Sequence, residues 1–210
     1  MKKALLLLIC FTVVLSASVF ADSMKVKTTY GDWKMSSNQL TQTNLNAGMA
    51  KANIYAPQSG TMVYEFKAKY MDGLDDGKGG FGIHVFVDKP AAGKAWGEGK
   101  SYLLWVNYDK KPVNSTTPEG LSAQIYKSES NSRMNLVQSI SLKSVEPMLA
   151  KYLNYTLPVK IVIDGKSGMA KVYDPFKADY YYQFPLSSDT PLKGNYVSLR
   201  TNSLSVAFSQ

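Results

Sequence analysis

The chain has 210 residues, 24 basic against 16 acidic side chains for a net charge of +8, one histidine and one cysteine. That cysteine, Cys10, sits in the apolar stretch at the N-terminus, so the rest of the chain has no thiol for a disulfide, a nucleophile or a thiolate metal site. The positive charges are dispersed, with Lys67/Lys69 and Lys110/Lys111 the densest pairs, so they form no basic block of the kind that binds nucleic acid.

Residues 1–21 read as a secretory signal peptide of bacterial type. Lys2 and Lys3 give a positive start, Ala4 to Leu15 an apolar core, and Ser18-Val19-Phe20-Ala21 a small-residue cleavage site. The apolar core falls short of the ~20 residues of a membrane span, and no later stretch is as apolar. Leu8-Ile9 before Cys10 lacks the small residue expected at a lipoprotein processing site. Cleavage after Ala21 predicts an exported chain of about 189 residues, one domain in length, that works in the periplasm, at the cell surface or outside the cell. Without the two leader lysines the net charge of +8 becomes +6, enough for a mild attraction to acidic cell-surface polymers.

Residues 22–29 are polar and read as a flexible N-terminal segment, with the domain spanning 30–209 and Trp33 as an early core anchor. Short strands are expected over 39–43 and 49–55. Residues 61–70 alternate clearly, with Met62, Tyr64, Phe66 and Ala68 against Val63, Glu65, Lys67 and Lys69. A turn-rich loop over 71–80 leads to residues 79–109, two strands around a glycine-rich connection, which hold the only histidine and two of the three tryptophans. Strands follow over 122–128 and 133–142. Residues 144–154 predict a helix, since Val145, Met148, Leu149, Tyr152 and Leu153 share one face and Ser144 can cap it. Strands over 157–164 and 169–173 flank the turn Asp164–Gly168 and read as a hairpin. A strand over 180–184 carries three consecutive tyrosines, of which at least one must face solvent, because neighbours on a strand point oppositely. Segments 195–200 and 203–209 close the chain around a tight connection at Thr201-Asn202. Some twelve to fourteen short strands with one short helix predict an all-β fold, a two-sheet antiparallel β-sandwich or jelly roll.

The order GGFGIHVFV, SYLLWVNYD, AQIYKS, VKIVIDGKSGMAKVYDP and GNYVSLRTNSLSVAFS, over about residues 30–209, resembles the concanavalin A-like lectin/glucanase superfamily, in particular its laminin-G-like and 3-keto-disaccharide-hydrolase-like jelly rolls. The resemblance implies the jelly-roll fold and a carbohydrate or cell-envelope partner. Glycosidases of that superfamily carry alternating acids on one strand, which aim two carboxylates into one cleft. Here Glu65, Glu98, Glu119, Glu129 and Glu146 each stand apart from other acids, and His84 has no G-x-S-x-G serine to serve. Both observations weigh against an enzyme. Asp72, Asp75 and Asp76 lie in one glycine-rich loop and are the candidate ligands for Ca²⁺, as surface calcium is common in such jelly rolls. They lack the EF-hand spacing, and aspartate with glycine also simply builds turns.

The aromatic inventory points to binding. Sugar rings stack on flat amphipathic side chains while amides and arginine hold hydroxyls. Period-two spacing places Trp105 with Asn107, Gln124 with Tyr126, and Tyr196 and Ser198 with Arg200. With His84 and Phe86 these are expected to line one sheet face, with Trp96 at its rim; the competing reading is ordinary sandwich packing. The expected function is non-catalytic binding of a carbohydrate or envelope component. The alternatives are a structural subunit of a surface or periplasmic assembly and a glycoside-processing hydrolase.

Overall fold

The computed structural model describes residues 26–36 and 38–210; the signal peptide expected over 1–21 lies outside the described residues. The first strands are β1 (Val26–Tyr30), β2 (Trp33–Ser36), β3 (Gln39–Gln42), β4 (Ala50–Ser59) and β5 (Thr61–Asp72). The middle of the chain forms β6 (Lys78–Val87), β7 (Ser101–Asp109), β8 (Gly120–Ser128) and β9 (Met134–Ser141). After a 3-10 turn at Glu146–Met148 and the one-turn helix α1 (Leu149–Tyr152) come β10 (Thr156–Asp164), β11 (Met169–Asp174), β12 (Lys177–Pro185), β13 (Lys193–Asn202) and β14 (Ser205–Ser209). These strands form two seven-stranded sheets: a front sheet ordered β1-β4-β13-β6-β7-β8-β9 and a back sheet ordered β12-β11-β10-β5-β14-β3-β2. Every pairing is antiparallel. The expected all-β sandwich is what the chain adopts.

The core lies between the sheets and follows the pleat. On β5 the alternation is strict: Met62, Tyr64, Phe66 and Ala68 are buried, while Glu65, Lys67 and Lys69 face solvent, as a half-buried strand requires. From the front sheet Ala52, Ile54, Ile83, Val85, Leu104, Ile125, Val197 and Leu199 point inward against them. Phe208 is the hub, wholly buried, with Trp33, Phe66 and Phe81 ring centroids 6.2–6.3 Å away. Tyr64 brings a hydroxyl into this core and donates it to Gln58 Oε1 at 2.7 Å; that oxygen also accepts the Phe86 amide.

Several elements differ from the sequence expectation. Val26–Tyr30 is not a frayed tail but a paired edge strand on β4. The helix expected over 144–154 shrinks to a 3-10 turn and one α-turn without a side-chain cap from Ser144, and none of its residues is buried. Val145 and Met148 are exposed, so the apolar stripe finds no sheet to pack on. The closing connection lies later than Thr201-Asn202, which are still in β13, and it joins strands of different sheets: β13 pairs with β4 and β6, whereas β14 pairs with β3 and β5. The chain crosses between sheets around Ser203, which takes a positive φ of 53°. Tyr180, Tyr181 and Tyr182 are all exposed because β12 is a sheet edge.

Phe208→Ala should cost about 3–5 kcal/mol in urea unfolding, since it empties the centre of the aromatic cluster. Val113→Ala, at a fully exposed position, should stay within about 0.5 kcal/mol of wild type.

Candidate functional site

The outward face of the front sheet carries the candidate residues. The registers place Lys51, Arg200, Gly82, Trp105 and Gln124 in one row across β4, β13, β6, β7 and β8. Asn53, Ser198, His84, Leu103 and Tyr126 form the next row. Trp105 lies flat across β6 because Gly80 has no side chain: a Cβ there would sit 2.3 Å from the indole. Its Nε1 donates to Asn107 Oδ1 at 3.2 Å. Tyr126 donates its hydroxyl to Gln124 Oε1 at 2.8 Å, and Gln124 Nε2 donates to Ser122 Oγ.

Phe86 does not join this face. Its φ of +54° breaks the alternation of β6, so Val85 and Phe86 both enter the core. Gly194 makes the detour possible, as a Cβ there would meet the Phe86 carbonyl carbon at 2.2 Å.

The face is not an open groove at these positions. The connection from β6 to β7, residues 88–100, folds back over it as a roof. His84 is wholly buried, and Arg200, Gln124 and Trp105 are nearly so. Asp88 closes the base of the roof by accepting the Lys89 and Lys100 amides. Farther out, Lys51 Nζ donates to Ala95 O at 2.8 Å and to Gly97 O. Lys51 also meets Glu98 Oε2 at 2.7 Å, both side chains having no exposed surface. Glu98 Oε1 in turn accepts the Ala91 amide at 3.0 Å. From β8, Ser128 Oγ accepts the Glu98 amide and donates to Gly99 O. Gly97 packs so tightly on the β8–β9 turn that a Cβ would lie 1.9 Å from Ser130 O.

Arg200 holds the remaining part of the roof. Its Nη1 donates to Trp96 O at 2.6 Å, and its guanidinium lies 5.0 Å from the Trp96 ring and 5.5 Å from the Trp105 ring. Trp96 itself is 43% exposed and meets the half-buried Tyr126 edge-on at 6.1 Å. Trp96 is therefore at the rim, as the sequence suggested, but the other candidates sit beneath it.

Burial sets the protonation states. It holds the His84 imidazole well below its ordinary value, and the Arg200 and Lys51 charges push the same way. His84 is thus neutral; its Nδ1 lies 3.0 Å from Ser101 Oγ and its Nε2 3.5 Å from Arg200 Nη1. As the guanidinium can only donate, Nε2 is the acceptor and Nδ1 carries the proton toward Ser101. Burial also lowers Lys51, outweighing the attraction of Glu98, and draws Arg200 down to about 10. Burial raises the Tyr126 phenol, against the Arg200 charge.

Asp72, Asp75 and Asp76 do not converge on a cation. All three are exposed; Asp72 Oδ1 accepts the Gly73 amide and Asp76 Oδ1 the Lys78 amide, so these two carboxylates brace their own turn. No group of three or more His, Cys, Asp or Glu side chains placed to hold a metal occurs among the described residues.

The sequence matches no family model and no curated protein. Solved structures with the same arrangement of sheets do exist. A legume lectin-like domain from Entamoeba histolytica superposes with a TM-score of 0.56 at 11% identity, over 88% of this chain and 86% of that one. The CBM2 module of the evolved Dit of Lactobacillus casei BL23 phage J-1 gives 0.56 at 10% identity, over 91% and 90%. A Bacillus subtilis protein with a galectin-like fold gives 0.53 at 10% identity, over 89% and 86%. The shared fold is the two-sheet antiparallel sandwich. At these identities the likeness concerns the lectin-like sandwich alone, and the roofed polar face is described from this chain's own residues. The pair Lys51–Glu98 escaped the sequence reading; the signal was a lysine between Ala50 and Ala52 on an otherwise inward-packing strand.

Lys51→Met should destabilise the protein by about 3–5 kcal/mol, because it leaves the Glu98 carboxylate buried without its cation. Lys51→Met with Glu98→Gln should recover much of that loss, and a double-mutant cycle in urea reads the coupling. His84 supplies a pH signature. Its folded-state value lies below the unfolded one, so the unfolded chain takes up the proton first as pH falls. Stability should be flat near pH 7 and decline below about pH 6.5, by at most about 1.4 kcal/mol per pH unit. His84→Gln should flatten the slope between about pH 6.5 and 5.

Proposed function

We propose that this protein is an exported, non-catalytic carbohydrate-binding protein whose partner is a glycan of a cell envelope. The observation that carries the reading is the presentation of Trp96. Lys51, Glu98 and Arg200 are all withdrawn from water to fix the backbone around this one residue, yet its indole remains substantially exposed. A rigid, exposed aromatic next to a half-buried tyrosine is a stacking platform for a sugar ring, with its conformational entropy already lost before the ligand arrives. The shared fold with lectin and carbohydrate-binding domains supports the same reading. Non-catalytic action is supported by the state of the carboxylate on this face: Glu98 is held by Lys51 and the Ala91 amide rather than paired with a second acid. Export rests on the leader-like residues 1–21.

A second reading, a packing subunit of a surface assembly, draws on β12. This edge strand exposes Tyr180, Tyr181 and Tyr182 together, with Lys171 over the Tyr181 ring at 4.5 Å and Lys177 over the Tyr180 ring at 5.2 Å. Concentration-independent sedimentation of the mature protein as a monomer would remove it.

A glycan array probed with the mature protein tests the first reading. Wild type should give discrete signals, and Trp96→Ala should lose them with its melting temperature within a few degrees of wild type. A blank array for wild type rejects the reading.

A further inference from the structure

The polar face beneath the roof is not electrically balanced. Lys51 has Glu98 at 2.7 Å, but Arg200, 2% exposed, has no carboxylate within ion-pair distance among the described residues. Its polar contacts are all made by Nη1 and all to uncharged groups: Trp96 O at 2.6 Å, His84 Nε2 at 3.5 Å and Met134 Sδ at 3.9 Å. The guanidinium lies over both indoles, 5.0 and 5.5 Å from their centroids, which offsets part of its desolvation. They offer nothing to the in-plane N–H groups. Nε is buried with no hydrogen-bond partner, and Nη2 makes no hydrogen bond either. Nε and Nη2 form the parallel pair of donors that grips a planar carboxylate side-on. A buried donor left open in this way marks a missing partner, and two buried cations sharing the single carboxylate of Glu98 leave room for a second anion.

The surroundings narrow the class of that anion. The side chain lying over the guanidinium is Trp96, the exposed platform of the binding reading, and Tyr126 and Met134, both half-buried, stand beside it. The route from solvent to Arg200 therefore passes a sugar-stacking surface. The backbone of the roof is held separately by Lys51, Glu98 and Ser128.

We propose that the ligand is an acidic glycan, in which a uronic-acid carboxylate pairs with the Nε/Nη2 edge of Arg200 while the pyranose ring rests against Trp96. This rests on the carbohydrate-binding reading and names its substrate class. Arg200 then has two tasks, positioning Trp96 through Nη1 and binding the acid through its opposite edge. Lys51, committed to Glu98 and two carbonyls, binds no ligand.

The test is titration of the mature protein, followed by tryptophan fluorescence, with three oligosaccharides of matched length: one containing glucuronate, one containing glucose in its place, and one carrying sulfate esters. Wild type should bind the glucuronate form at least about tenfold more tightly than the glucose form, as expected for a charge-assisted bidentate contact. It should also prefer glucuronate to the sulfated form. Arg200→Lys keeps the charge but loses the fork, and should bring the ratio of glucuronate to glucose affinity down to about one, whatever the variant's absolute affinity for the neutral sugar. Equal affinity for glucuronate and glucose forms overturns the proposal and leaves the carbohydrate reading standing. Equal or tighter binding of the sulfated form overturns the carboxylate assignment. Full preference in a folded Arg200→Lys variant overturns the role of Arg200. No binding of any of the three overturns the proposal together with the reading on which it rests. The wild-type comparison decides even if the variant fails to fold.

Discussion

The ion pair between Lys51 and Glu98 is the interaction on which the outer face of the front sheet depends. Both side chains are without exposed surface, so each would be costly to bury alone. The pair also does more than neutralise itself. Lys51 takes two carbonyls of the roof, and Glu98 takes an amide of the same segment. A lysine on a strand and a glutamate in a connection thus convert a glycine-rich stretch into a fixed covering layer. Because burial outweighs attraction for Lys51, the pair is better understood as a device for specificity of the loop path than as a source of net stability.

The covering layer changes what the sheet face can be. An antiparallel sheet is free to leave one face in water, and the alternating polar residues here are those of a wet face. Instead they form a second, polar core outside the apolar one, with hydroxyls, amides, an imidazole and two cations arranged so that most find partners. The roof displaces the accessible surface outward, from Gln124 and His84 to Trp96 and Tyr126. On the proposed binding reading, recognition falls to a loop held by a sheet rather than to the sheet itself, the usual division between rigid scaffold and functional connection.

Much of this was legible in the sequence, and the exceptions have physical causes. Period-two alternation is a local rule, and it correctly grouped Trp105, Asn107, Gln124, Tyr126, His84 and Arg200 on one face. It failed at Phe86, where one residue of positive φ resets the parity of β6 and depends on a glycine more than a hundred residues later. It misplaced the closing connection by two residues, because alternation on either side of Ser203 does not say where one strand ends or that the next belongs to the other sheet. The roof was invisible for a different reason. Loop paths leave no periodic trace, and Lys51 and Glu98 meet only through the fold. The aspartates of the 72–76 turn show how one local composition serves two readings, since Asp72 and Asp76 make the turn contacts that such residues make with or without a ligand.

The separation of β13 from β14 has a consequence in time. β13 stands between β4 and β6 in the front sheet, and β14 between β5 and β3 in the back sheet. Without residues 193–209, each sheet is two unconnected pieces, and the hub Phe208 is absent from the core. Residues 193–209 pair with β4 and β3, more than 130 positions earlier, so closure carries the entropy of a very long loop. The front sheet becomes continuous only when β13 docks and the back sheet only when β14 docks. Two consecutive strands joined by one short connection therefore set the pace at which both layers of the sandwich close.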